Sequence, residues 1–194
     1  IWVENATQIK RSLGLVRGKN DRTDSIRIAQ YACRFSERIK LWKPLRSIVD
    51  KIKSLATLRL RLVETQKRLM TPIEEMKAMG NNTMAVLLEK SIRKSLRAID
   101  SDIEKIEAEI KNIIENDESL NQTFKLVTSV VGIGFVTAVH LIVYTNEFKS
   151  ISDARKLACY CGVAPFEHKS GSSIRGKTKV SHLANKKLEC NLHM

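Results

Sequence analysis

Ser170 stands in the stretch His168-Lys169-Ser170-Gly171-Ser172-Ser173-Ile174-Arg175-Gly176-Lys177, where glycine flanks a hydroxyl and cations follow at once. A serine hydroxyl becomes a nucleophile only when a base or a metal ion activates it. Lys169, Arg175, Lys177 and Lys179 supply the positive charge that could steady a transferring phosphate. A Ser-Gly-Ser-Ser segment is equally a flexible turn. His168 lies too close along the chain to face Ser170 readily, so a Ser-His dyad is a weak reading of this spacing.

Two further clusters could do chemistry. Asp21 and Asp24 are three residues apart at the start of a helical pattern, so their carboxylates can share one helix face and a divalent ion such as Mg²⁺. The same spacing is ordinary helix-terminus chemistry, with one acid capping the helix and the other in its first turn. Val131-Gly132-Ile133-Gly134, followed by Thr137-Ala138, breaks an apolar run of helical length. In a helix–hairpin–helix, glycines Gly132 and Gly134 would let the turn's amides and the next helix's N-terminus, with Thr137, grip phosphate without reading bases. Two glycines in a tight interhelical turn are the plainer alternative.

These groups must be positioned by mainly α-helical elements. Helix-capping residues open 21–32, with Ile28, Ala29, Ala32 and Phe35 on one face. Ile92, Leu96, Ile99, Ile103, Ile106, Ile110 and Ile113 alternate four- and three-residue steps, the mark of a coiled-coil seam. A preceding stripe, Leu41, Leu45, Ile48, Ile52, Leu55, Leu62 and Leu69, is interrupted by Arg59 and Gln66, and Gly80-Asn81-Asn82 marks a turn between the two. An antiparallel hairpin is the simplest packing, and pairing between molecules would bury the same stripes. Helices are expected over 123–131, 135–144 and Ser152–Cys161, then a basic loop holding Ser170 and a last helix from about Ser181.

The 194 residues are 43% apolar and 28% charged, a globular composition, with a net charge of +13 and pI near 9.8 that favour a polyanionic partner. Residues 1–41 carry nine Lys/Arg against four Asp/Glu, 42–122 fifteen against thirteen, and 123–194 ten against four. The charge therefore gathers at the two ends. Aromatics at 5% argue against a stacking platform for single strands. Cys33, Cys159, Cys161 and Cys190 lack zinc spacing and suit a reducing compartment, Cys159 and Cys161 reading as core. His140, inside an apolar helix, reads as a core histidine. No uncharged apolar run reaches 18 residues, so no membrane span is expected. The first residue, Ile1, and the last helical stretch suggest a piece of a longer protein.

The order of these signals resembles the IS-one-ten family of insertion-sequence transposases, related to the Piv site-specific invertase. The resemblance is carried by Asn20-Asp21-Arg22-Thr23-Asp24 with the following IRIAQYA, by Ser129-Val130-Val131-Gly132-Ile133-Gly134-Phe135-Val136-Thr137-Ala138 and by Phe148-Lys149-Ser150. It continues through Arg155–Pro165, Lys169–Lys177 and Asn185-Lys186-Lys187-Leu188, and covers essentially the whole chain. It implies the tail of a RuvC-like α/β domain over 1–41, a coiled-coil linker or oligomerisation hairpin over 42–122, and a helix–hairpin–helix transposase domain over 123–194. It also implies that Asp21 and Asp24 are the last two acids of an Asp-Glu-Asp-Asp Mg²⁺ site and that Ser170 is the nucleophile joining DNA.

The implied partners are double-stranded DNA, further copies of the chain in a dimer or tetramer and, for some members, a structured guide RNA. The implied location is the bacterial cytosol. The family's first Asp and its Glu have no counterpart in these residues, so the chain alone is expected to be inactive. A non-catalytic helix–hairpin–helix DNA-binding protein with a dimerising coil, or an inactive remnant, remains the rival reading.

Overall fold

The computed structural model describes residues 1–14, 20–39, 41–170 and 174–192; the side chains of 168–170, 174 and 175 fall outside that description. Helix makes up 70% of it, and the fold is mainly α. The chain forms two compact units, Ile1–Pro44 and Leu45–Met194.

In the first unit α1 (Ala6–Ser12) packs on α2 (Asp21–Arg34). Helix α2 begins at Asn20, whose side chain accepts the Thr23 amide at 2.8 Å while Thr23 Oγ1 accepts the Asn20 amide at 3.3 Å. This reciprocal cap satisfies two otherwise orphaned amides. Among the described residues of this unit the buried one is Tyr31, which lies between Trp2 (5.3 Å between centroids) and Phe35 (4.8 Å). The expected Ile28 face is not the one covered within this unit: Ile28 is 56% exposed. A single short partner helix buries one stripe only, and the large aromatic rings take it. Leu41 also leaves the expected seam. Pro44 disfavours helix at the residue before it, and Leu41 instead pairs with Trp2 in an isolated bridge.

The second unit is built on a long helical hairpin, α3 (Ser47–Ala78) and α4 (Asn82–Glu115). Asn81 caps α4 by accepting the Met84 amide. Cross-helix pairs Lys51–Glu109, Arg59–Glu107, Gln66–Asp100 and Lys77–Glu89 descend along α4 as they ascend along α3, so the hairpin is antiparallel and closes within one chain. The two polar interruptions of the α3 stripe thereby find their purpose. Arg59 Nε donates to Glu107 at 2.6 Å and Gln66 Nε2 to Asp100 at 2.6 Å.

Two helices alone half-bury their seam, as Ile92, Leu96, Ile99 and Ile103 are here. Apart from Ile73 and Ala85 near the turn, complete burial is concentrated at the base, where α5 (Glu118–Thr128) and α6 (Phe135–Tyr144) add a further layer. Val49, Ile52, Ile110, Ile113, Ile114, Leu120, Val139 and Ile142 form one cluster there. Each such side chain contributes about 1.5–3 kcal/mol when fully buried.

After α6 the chain runs through α7 (Ala154–Tyr160) and two strands, β1 (Pro165–Ser170) and β2 (Ile174–Val180), to α8 (Lys186–Leu192). The basic loop expected around Ser170 is therefore an antiparallel hairpin, with Lys169 registered against Arg175 and Ser170 against Ile174. The β-favouring residues Phe166, Ile174, Thr178 and Val180 were the signal for it. Helix α5 starts earlier than expected because Asp117 caps it, accepting the Leu120 amide at 2.9 Å, and it ends at Thr128, short of the expected 131. Helix α8 starts later, where the Asn185 side chain accepts the amides of Lys187 and Leu188. Gly162, at φ +73°, lets the chain turn against α8; a Cβ there would fall 2.9 Å from the Ala184 Cβ. Leu141, Cys161 and Leu188 close a second small core.

Candidate nucleic-acid interface

Helix α5 stops at Thr128 and α6 starts at Phe135, joined by a turn through Gly132 (φ +90°) and Gly134. The positive φ at Gly132 is a conformation β-carbon-bearing residues adopt at a cost. Gly134 is the N-cap of α6, and no side chain caps that helix. Its first-turn amides and positive dipole end therefore face the surface beside two exposed glycines, an arrangement suited to an anion. Thr137 departs from expectation. It is 7% exposed, on the side of α6 that packs inward, so backbone rather than this hydroxyl is what the helix start offers.

Two cations missed by sequence reading stand beside this terminus. Lys111 and Lys125 line a groove of about 180 Å³ with Asn121, Thr128 and Phe135. The Lys111 ammonium sits 5.1 Å above the Phe135 ring. Lys111 belongs to the heptad region, where a charge reads as a solvated flank, and only the fold brings it to the turn. Val131, fully exposed, and Leu126, 72% exposed, give the same tip an apolar edge.

On the β-hairpin, Lys177 and Lys179 are exposed and two residues apart, so they share one face of β2, and Arg175 precedes them on that strand. Ser170 is the last residue of β1. Its side chain, with those of Lys169, Arg175 and His168, lies outside the described residues.

Asp21 and Asp24 occupy the first turn of α2, where carboxylates favour the helix dipole. Neither is the cap, which is Asn20. Asp24 accepts from Arg27 at 3.4 Å, and Asp21 is exposed. Both offer the oxygen donors Mg²⁺ prefers. Among the described residues no group of three or more His, Cys, Asp or Glu could hold a metal ion, so these two carboxylates fit in kind but do not complete a site.

His140 is a core histidine. It is 7% exposed, and its Nδ1 lies 2.5 Å from the Asn191 amide nitrogen, tying α6 to α8. Burial pushes its pKa below the ordinary value, and the Arg59 and Lys187 charges push the same way. The folded state thus holds the ring neutral, while the unfolded chain takes up a proton near the usual value of about 6.5. Stability carried by His140 is present above that value and is lost as pH falls below it. Thermal melts between pH 7.5 and 5 should show a declining midpoint, with a shallower decline in His140→Gln; identical slopes would sink this assignment.

No described helix is long and apolar enough to cross a membrane. Residues 124–194, which hold the end of α5, the glycine turn, α6 and the β-hairpin, match the sequence model of the transposase IS116/IS110/IS902 family. The chain is 30% identical to the pilin gene-inverting proteins of Moraxella lacunata and Moraxella bovis over 184 residues, 95% of this chain and 54% of each relative. It is 32% identical over 98 residues, half of this chain and 23% of the relative, to an uncharacterized 43.6 kDa protein of insertion element IS110 from Streptomyces coelicolor. The match and these relatives support an insertion-sequence transposase of the IS110 type. It spans about half the length of the pilin gene-inverting proteins.

Proposed function

We propose that this chain is the coiled-coil and DNA-binding part of a DNA transposase or site-specific recombinase, acting within a polypeptide of about the relatives' full length. The uncapped, glycine-flanked N-terminus of α6, inside the segment that matches the transposase model, is the observation that carries the reading. Duplex DNA is held there through backbone phosphates, with Lys111 and Lys125 beside the turn and Lys177 and Lys179 on β2 adding charge. Such contacts are independent of base sequence.

In this reading residues 1–41 are the end of a RuvC-like catalytic domain. Asp21 and Asp24 would hold Mg²⁺ together with donors outside the described residues, and the ion would supply charge for phosphoryl transfer. The hydroxyl of Ser170 attacks a DNA phosphorus: an Oγ–P bond forms, one bridging P–O bond breaks, and the released deoxyribose hydroxyl takes up a proton. Attack on that bond by a hydroxyl of a second strand reverses the step and exchanges the strands. Further copies of the chain, and a structured guide RNA, complete the proposed assembly.

The binding claim is tested by fluorescence anisotropy of this chain with a 30-bp duplex across a salt series. Several phosphates contacted should lower affinity by orders of magnitude between low and physiological salt, and neutralising Lys111, Lys125, Lys177 and Lys179 should flatten that dependence. Salt-independent binding, or none, would refute it.

A further inference from the structure

Helix α4 is electrically divided. Residues 82–99 carry Lys90, Arg93, Lys94 and Arg97 against a single Glu89, whereas residues 100–115 carry six acids against two lysines. At 100° per residue the four cations fall within about a 100° arc of the helix, spaced three and four apart over two turns. All four are exposed, and none takes part in an ion pair among the described residues. The acids that could neutralise them are turned away. Glu89 pairs with Lys77 of α3 at 3.7 Å, and Asp100 accepts from Gln66 of α3 at 2.6 Å.

Four like charges on neighbouring turns repel one another and weaken the free helix. The α3 surface of the same half of the hairpin does not share this pattern, since Glu74 and Glu75 accompany Lys67, Arg68 and Lys77 there. An ordinary solvated helix face mixes signs in the α3 manner. A single-sign stripe needs counter-charge from outside.

We infer that Lys90, Arg93, Lys94 and Arg97 form a second docking surface for the phosphodiester backbone of duplex DNA, the polyanion of the proposed function. Arg97 lies sixteen residues from Ile113 at the hairpin base, about 24 Å along the helix, so this surface is remote from the α6 terminus. The stripe runs about 10 Å, the axial rise of roughly three phosphates on one strand. Guanidinium and ammonium groups on such a face grip phosphate oxygens without reading bases. The inference stands on α4 alone, independently of the catalytic reading.

The test is the full chain with Lys90→Gln, Arg93→Gln, Lys94→Gln and Arg97→Gln together; glutamine keeps helix propensity. Binding to a 30-bp DNA duplex and to an RNA hairpin is measured by anisotropy over a salt series. On the duplex, affinity should fall at least tenfold near 0.1 M salt, and the logarithmic salt slope should drop by about three. The control Arg61→Gln/Lys67→Gln/Arg68→Gln should change the slope by less than one. Should the quadruple variant lose helical ellipticity, Lys94→Gln/Arg97→Gln is read instead, with a slope loss of about two. Loss on the RNA arm alone would overturn the duplex assignment.

An unchanged slope on both arms, with wild-type duplex binding intact, overturns the stripe and leaves the α6 interface standing. The same holds if the quadruple variant changes only the sedimentation coefficient, which would make the stripe a protein contact. Absence of wild-type binding to either ligand overturns both.

Discussion

Ser170→Ala in the full-length recombinase is expected to abolish strand exchange on a supercoiled donor, by at least about a thousandfold, while duplex affinity stays within about twofold. Deleting the proposed nucleophile removes the covalent step itself. Binding is spared because the phosphate contacts proposed at the α6 terminus and on β2 do not involve this hydroxyl. The pairing of outcomes separates catalysis from adhesion. Asp24→Asn should show the same split and, with Ser170→Ala, no further loss, since both act in one step. A Ser170–DNA adduct trapped on denaturing gels should appear in the wild type and be absent from Ser170→Ala. Exchange that persists in Ser170→Ala would overturn Ser170 as the nucleophile.

Much of the fold was legible because it follows periodicity. The isoleucine seam from Ile92 to Ile113 predicted α4, and the Gly-Asn-Asn turn predicted its reversal onto α3. The Gly132–Gly134 break placed the α5–α6 turn, and α6 begins and ends where its apolar run does. The family resemblance, too, was visible in the order of short motifs. What sequence could not show is how far apart in the chain the members of one surface lie. Lys111 reaches Phe135, and Lys53 approaches His140, only because the hairpin base is roofed by α6. Caps were misassigned where two candidates adjoined: Asn20 and Asp21 are both good caps, and the longer reach of a reciprocal bond with Thr23 decided for Asn20. The β-hairpin was obscured by Lys and Ser, which read as loop until strand pairing gives alternate positions a solvent face.

Arg46→Met is expected to destabilise the second unit by about 2–3 kcal/mol, more than removal of a surface charge usually costs. Arg46 stands at the N-cap of α3, where it pairs with Asp117, the cap of α5, and donates to Glu147 at 2.5 Å. One guanidinium thereby binds the start of the coil, the start of α5 and the loop after α6. Asp117 is held below the usual carboxylate range, chiefly by the Leu120 amide against the opposing effect of burial, and then by Arg46. Arg46 is in turn raised, above all by its bond to Asp117. The Glu147 side chain is only 3% exposed and sits in a run of three left-handed residues, Asn146, Glu147 and Phe148. Its amide is anchored to the Ile142 carbonyl at 2.8 Å, so the backbone holds the carboxylate in place. Without Arg46 that buried charge keeps Lys149 as a partner, which is why the expected loss stays below the 3–5 kcal/mol of a fully orphaned pair. The midpoint of thermal unfolding should fall by roughly 5–10 °C. Glu147→Gln added to Arg46→Met should recover part of the loss, because the uncompensated charge goes with it. If the double variant is as unstable as the sum of the singles, Arg46 and Glu147 are not coupled, and the anchoring of α3, α5 and the α6 loop must rest on apolar packing around Phe148 and Leu120 instead.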